Sequence, residues 1–287
     1  MGGPCTVRLY APSEDAGQQA AFRAEAEVRR IEQKYSRYRP DSVLSVINTQ
    51  AHAGWGVAVD DETAALLDYA QAVWEQSDGV FDVTSGVLRR AWDFKSGHLP
   101  DSGLLARTLA ATGWDKLRWQ RPLLYFGLPD MELDFGGLGK EYAADCAATQ
   151  CRNSGIQHGL VELGGDIAVV GPHPDGSPWM IGIRHPRQTQ SAVASIPLAH
   201  GGIASSGDYE RYMLVEGRRY CHILHPQTGY PVVSDIAGVT VVGPSCLIAG
   251  SATTVAMLKG AAAPAWLDSL ALPWLLINAQ GERIYAD

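Results

Sequence analysis

The stretch "CTVRLYA" near the start alternates apolar and polar positions, the period-two pattern of a strand with one covered face. From about Glu14 to Lys34 the period lengthens: Ala21, Ala24, Val28 and Ile31 share one face, which predicts an amphipathic helix. "SRYRPDSVLSVINTQ" reads as a polar loop followed by a short turn of helix. Thr63 to Gln76 predicts a second amphipathic helix with Leu66, Leu67, Ala70 and Trp74 inward, stopped by Gly79 as a left-handed cap. "VFDVTSGVLRRAW" is expected to run from a loop into a further helix.

After Leu124 short apolar runs are divided by Gly and Pro turns: "LLYFG", "MELDFGG", "GLVELGGDIAVVG", "WMIGIRH", "SAVASIPLA", "GIASSG", "RYMLVEG", "VTVVG" and "WLLINAQGERIYA". These predict strands and hairpins, with helices at Tyr142–Asn153 and Ala249–Lys259 and a hairpin loop at "GPHPDGSPW". Helices cluster early and strands late, so the expected class is α+β (mixed α/β) rather than strict βαβ alternation. No repeat, low-complexity run or linker stands out, and one domain over residues 1–287 is expected.

Composition narrows the function. With 46% hydrophobic and 19% charged residues the chain should bury a sizeable core, and a formal net charge of −8 argues against a general nucleic-acid binder. The five cysteines are scattered without a CxxC pair, so neither a zinc knuckle nor a disulfide scaffold is indicated. No stretch reads as a membrane span, nor does the start read as a signal sequence. The expected location is cytoplasmic if the chain is complete, and periplasmic if a leader has been trimmed.

The stretch with the strongest chemical character is "LDFGGLGKEYAAD", a Gly-rich turn between an apolar run and an Ala-rich helix. It is not a Walker loop, because Asp134 stands at the first glycine position and Glu141 follows Lys140. It is not a dinucleotide fingerprint either, because Tyr142 stands where the third glycine belongs. The ingredients of an anion cradle are nonetheless present: glycines, a cation and a helix N-terminus. Further polar turns follow at "VELGGDI", "SSGDYERY", "HILHPQTGYP" and "IAGSATTVAMLKG".

Taken in order, these motifs resemble the ApbE family of FAD:protein FMN transferases. "MGGPC", "SRYRPDSVLSVIN" and "GVFDVTSGVL" match its early segments. "LDFGGLGKEYAAD" is similar to the family's Asp-x-Gly-Gly-x-x-Lys-Gly-Tyr-x-x-Asp, and the later turns follow in family order. The resemblance implies a Mg²⁺-dependent enzyme that cleaves the FAD pyrophosphate and attaches FMN to a Thr or Ser hydroxyl of an acceptor flavoprotein. It implies flavin contacts at Met1, Tyr38, Val80, Phe81, Asp82, Asp134, Lys140 and Leu224. Metal contacts are implied at the Gly137 carbonyl, Thr253 and Thr254, and His222 falls on the family's base for the acceptor hydroxyl.

Simple chemistry suits those roles. Phosphoryl transfer is mostly positioning and charge neutralisation, which Lys140, glycine N–H groups and Mg²⁺ would supply. A histidine suits removal of a hydroxyl proton, and Tyr38 and Phe81 suit packing on rings. Plainer roles stand beside these. Tyr38 and Phe81 also fit as core or rim aromatics, Asp82 as a cap for Thr84, and Asp208 as a partner of Arg211. His222 and His225 form HxxH on an extended segment, where they would face different ways rather than chelate.

Three positions depart from the family pattern. His225 replaces an Asp, Glu141 replaces a Gly, and Gly250 stands where the family has its main carboxylate ligand for magnesium. Losing that carboxylate should weaken binding of the free ion, unless another acid such as Asp166 or Asp208 serves. The alternatives to transfer are a non-catalytic FAD-binding or flavin-delivery protein, an FAD pyrophosphatase releasing FMN and AMP, and, more remotely, a flavin oxidoreductase.

Overall fold

Alternation at the start of the chain produces β1 (Cys5–Tyr10), and the longer period after it α1 (Glu14–Tyr35). Then follow α2 (Val43–Gln50), β2 (Val57–Ala58), α3 (Asp61–Gln76), α4 (Ser102–Ala110), β3 (Leu117–Gln120) and β4 (Leu123–Phe126). The second half holds α5 (Gly139–Asn153), β5 (His158–Leu163), β6 (Asp166–Gly171), β7 (Trp179–Arg184), β8 (Ala192–Leu198) and β9 (Gly202–Gly207). It ends with β10 (Tyr212–Val215), β11 (Arg218–Cys221), β12 (Ile236–Gly243), α6 (Cys246–Lys259), α7 (Ala263–Ser269), β13 (Trp274–Asn278) and β14 (Arg283–Tyr285). The structure is a computed structural model that describes residues 3–50, 56–188, 191–209, 211–232 and 234–285. Helix and strand both contribute heavily, as the α+β expectation requires.

The chain divides into two compact units that interleave in sequence. The first comprises Met1–Gln33, Gly137–Tyr209 and Ser234–Asp287. Its strands form one antiparallel sheet in the order β1-β5-β6-β9-β12-β13-β14. Leu160, Ile167, Val169, Ile203, Leu275 and Ile277 build a core with Trp179, Ile183 and Leu198 of the β7–β8 hairpin. Helices α5 and α6 lie against each other and against the sheet, so β6 is buried along its whole length. Ala143, Ala144, Ala147 and Ala148 on α5 and Ala249, Ala252 and Ala256 on α6 are all buried. Small side chains on both helices permit close approach.

The second unit comprises Lys34–Gly136 and Glu210–Val233. It holds the sheet β2-β4-β3, the hairpin β10–β11, helices α2 to α4 and a 3-10 segment, Val83–Arg90. Leu88, Ala91, Trp92, Leu105, Met213 and Leu224 form its core, and the Trp92 indole N–H donates to the Gly229 carbonyl at 2.7 Å.

The differences from the sequence pattern have local causes. "MELDFGG" forms no strand. Its backbone is instead paired by one side chain: the Asn48 amide donates to the Leu133 carbonyl at 2.9 Å and accepts from the Leu133 N–H at 2.8 Å. Helix α4 has no counterpart in the expectation. Its signal was Asp101, whose carboxylate accepts from the Leu104 N–H at 2.7 Å as an N-cap. The segment Cys246–Ser269 is, by length and composition, apolar enough to cross a membrane, against the expectation that none is. It consists of α6, a 3-10 turn and α7, and 67% of its most apolar window is buried within the protein, as befits a largely buried core helix.

The N-terminus of α6 is capped twice. Ser245 accepts from the Ile248 N–H at 3.2 Å, and Asp145 of α5 accepts from the N–H groups of Cys246 and Leu247, each at 2.9 Å. Burial pushes the Asp145 carboxyl upward against those two bonds. Replacing Asp145 with Ala strands two backbone donors, so Asp145→Ala is expected to lower unfolding free energy by about 2 kcal/mol, read by urea denaturation. Asp145→Asn, which keeps one oxygen acceptor, is expected to fall between it and the parent.

Candidate functional site

In the first unit the polar residues gather where α5 begins. The turn Gly164-Gly165 (φ +59° and +95°) joins β5 to β6, conformations open to glycine in a two-residue hairpin. It sets Asp166 at the first position of β6. The carboxylate is buried: Oδ1 accepts from the Ser205 N–H on β9 at 3.0 Å, and Oδ2 forms an ion pair with Lys140 Nζ. The lysine also lies 3.3 Å from Glu141 Oε1. The side chain of Glu141 is only 8% exposed, and its Oε2 has no hydrogen-bond partner. One ammonium thus serves two buried carboxylates.

Gly250, in the middle of α6, explains how Glu141 fits. A Cβ at Gly250 would lie 2.4 Å from Glu141 Cγ, 3.0 Å from Cδ and 3.2 Å from Oε1. The glutamate therefore occupies the space a side chain at 250 would need. Positions 141 and 250, on neighbouring helices, are thus in contact. One turn on, the Thr253 hydroxyl is buried, donating to the Gly250 carbonyl at 2.9 Å and bonding to Ser206 Oγ at 2.9 Å. Thr254 and Gly137 are partly exposed.

The second unit carries a different constellation. Asp134 is largely buried, with Oδ2 at 3.1 Å from Arg37 and 3.7 Å from Arg89, while Oδ1 accepts from the Gly136 N–H at 2.8 Å. Arg37 also donates to the Tyr38 hydroxyl at 2.6 Å and lies 4.6 Å from that ring's centre. This hydrogen bond holds the phenol below its ordinary pKa. The ring itself is 76% exposed. His222 Nδ1 faces the Arg211 carbonyl at 3.2 Å. Burial, and then the charges of Arg89 and Arg211, bring the imidazole down to about 4, so it is neutral at pH 7.

The structure thus gathers Tyr38, Asp134 and His222 around shared arginines, and Lys140 and Thr253 around Glu141 and Asp166. The side chains of Val80, Phe81 and Leu224 lie in the core, which leaves their main chain for any ligand contact. Asp82 is buried too, accepting from the Thr84 N–H and hydroxyl at 2.8 and 2.6 Å and from the Trp114 N–H at 2.8 Å. Met1 lies outside the described residues. His225 turns its Nδ1 to the Gln227 N–H at 3.2 Å, so the HxxH pair does not converge. Asp208 pairs with Arg187 through both oxygens, at 2.7 and 2.8 Å. Sequence reasoning passed over Arg37 and Arg89 and named Arg211 only as a partner for Asp208; their signal was arginine recurring inside the same motifs, in "SRYR", "VLRR" and "YERY".

The profile of the ApbE family matches residues 1–275. The FAD:protein FMN transferase of Salmonella typhimurium is 32% identical over 235 residues, covering 78% of this chain and 67% of that protein. That of Vibrio cholerae is 34% identical over 237 residues, covering 80% and 70%. Among solved structures, the ApbE protein of Thermotoga maritima superposes with a TM-score of 0.89 at 28% identity, covering 100% of this chain and 94% of that one. The flavin transferase ApbE from Vibrio cholerae gives 0.87 at 29% identity, with the same coverage.

Two outcomes follow from the geometry. Gly250→Ala should cost about 2 kcal/mol, because its Cβ meets a confined glutamate, and pairing it with Glu141→Ala should recover more than about 1 kcal/mol of that loss in a double-mutant cycle followed by urea denaturation. His222 should titrate by NMR with a midpoint near 4 rather than the ordinary value of about 6.5. Its folded pKa is depressed, so its contribution to stability is full above about pH 6.5 and is lost as pH falls from there through about 4.

Proposed function

The chain belongs to the ApbE family, and on that premise we propose that it is an FAD:protein FMN transferase, joining FMN from FAD to a Thr or Ser hydroxyl of an acceptor flavoprotein. The observation that carries the proposal is the 3.2 Å contact of His222 Nδ1 with the Arg211 carbonyl, which sets the tautomer. A carbonyl only accepts, so the Nδ1 that faces Arg211 O carries the ring proton. Nε2 then presents a lone pair, and the low pKa keeps it unprotonated at neutral pH. In the proposed reaction the acceptor oxygen bonds to the FMN phosphorus, the bond from that phosphorus to the bridging oxygen breaks, and AMP leaves. The hydroxyl proton passes to His222 Nε2.

The other residues have supporting parts. Tyr38 offers an exposed ring whose hydroxyl is fixed by Arg37, a platform for a flat heterocycle. Arg89 and Arg211 place positive charge around His222, where an anionic substrate gains from it. Lys140 is a point charge at the start of α5, held in place by Asp166 and Glu141. Mg²⁺, when bound, neutralises charge on the phosphate oxygens. Glu141, with its unpartnered Oε2, and the oxygens of Gly137 and Thr254 are the groups that would hold it.

Incubation with FAD, Mg²⁺ and a flavoprotein domain bearing the acceptor hydroxyl should add one FMN to that domain, read by mass spectrometry, with one AMP released per adduct. His222→Ala should slow transfer by at least about a hundredfold while FAD affinity stays nearly unchanged. AMP release without an adduct would instead indicate a pyrophosphatase, and FAD bound but left intact a flavin-delivery protein.

A further inference from the structure

We infer that Glu141 supplies the carboxylate for a hard divalent cation, with Mg²⁺ the natural occupant, and that Gly250 makes room for it to do so. The inference deepens the proposed function, from which it takes only that Mg²⁺ serves the pyrophosphate.

Elimination among the acids at the α5–α6 contact identifies the residue. Both oxygens of Asp145 are spent on the Cys246 and Leu247 N–H groups. Both oxygens of Asp166 are spent, one on the Ser205 N–H and one on Lys140. Glu141 places Oε1 against Lys140 and leaves Oε2 buried without a partner. A buried carboxylate oxygen without a donor is costly, and a native site that keeps one has a use for it.

Charge points the same way. Lys140 supplies one positive charge against the two buried carboxylates it bridges, Glu141 and Asp166, so a negative charge remains. A bound cation offsets that surplus, whereas a neutral ligand does not. The available donors are oxygens of a carboxylate, main chain and hydroxyl, the set that hard cations favour. Among the described residues no three His, Cys, Asp or Glu side chains converge as a metal site. Mg²⁺ does not need such a cage, because it keeps waters and takes phosphate oxygens beside one or two carboxylates.

Helix register supplies the neighbouring oxygens. Gly137 lies just before α5, four residues ahead of Glu141 in sequence, while Thr253 and Thr254 follow Gly250 by three and four on α6, hence on its face. Thr253 already donates to the Gly250 carbonyl and bonds to Ser206, which leaves Thr254 the freer of the two hydroxyls by position. A glycine inside a helix is normally a cost relative to Ala. Here it admits the glutamate chain: the carboxylate reaches the α5–α6 contact from α5 rather than from position 250.

The test is cation binding by the full chain without FAD, followed by calorimetry with Mg²⁺ and by electron paramagnetic resonance with Mn²⁺. The parent should bind both ions, and Glu141→Gln, which keeps the shape and removes the charge, should weaken binding by at least about tenfold. The double variant Glu141→Gly with Gly250→Asp, which moves the carboxylate to α6, should recover binding to within about threefold of the parent. Circular dichroism checks that each variant is folded. If Glu141→Gln fails to fold, the double variant alone decides: no cation binding by it overturns the placement. Equal affinity in parent and Glu141→Gln overturns the proposal, as does a parent that binds neither ion with or without FAD. Because no transfer is measured, failure of the transfer reaction with cation binding intact would count against the proposed function and leave this inference standing.

Discussion

The contact between Glu141 and Gly250 is the constraint on which the first unit turns. Two helices meet over a fully buried strand, and where Gly250 faces Glu141 one has no side chain while the other buries an acid. Everything around that acid follows from its charge. Lys140 folds back onto it, Asp166 is drawn to the same ammonium, and Ser205 secures Asp166 from the neighbouring strand. The alanines along α5 and α6 make the approach close enough for the contact to exist. Asp145 fixes the rotation of one helix against the other by capping α6 from α5, one turn beyond Glu141.

The second unit handles charge in the opposite sense. Asp134 lies between Arg37 and Arg89, and Arg211 adds a further positive group near His222. Burial, together with that excess of positive charge, keeps the imidazole neutral and so keeps it a base. It also orients Tyr38, whose ring is exposed while its hydroxyl is tied down. A histidine with a free lone pair among arginines suits chemistry in which a proton leaves a hydroxyl as an anion arrives.

Much of this was legible in the sequence, and the failures have physical causes. Periodicity located β1, α1 and α3 because each has one face to water and one to protein. The α+β class followed from the grouping of helices and strands. The segment around Leu133 was misassigned because its apolar residues are buried without a strand partner; the partner is the amide of Asn48, which no local pattern reveals. Helix α4 went unseen because its start depends on a single capping carboxylate. In the site, Asp134, Lys140 and His222 were singled out by motif, while the arginines that set their electrostatics were not, because their roles depend on contacts between segments distant in sequence. Phe81 shows the limit in reverse: a motif names the position, but its ring belongs to the core.

Gly250 and Glu141 carry the same lesson to its chemical end. Considered singly, in the sequence, Gly250 suggested a lost ligand and Glu141 a minor change beside a lysine. In space they form one unit, in which the carboxylate chain from α5 fills the volume that a side chain at 250 would need. A cation responds to the charge and position of the oxygen, not to which backbone bears it. The side chain from α5 is longer by one methylene than an aspartate, and the missing Cβ on α6 is what accommodates it. Neither change is comfortable alone: a glutamate against a side chain at 250 would be crowded, and a glycine at 250 without the glutamate would leave a void between two close-packed helices. Packing therefore couples the two positions whether or not a cation is bound, and the unpartnered Oε2 is what packing by itself does not explain.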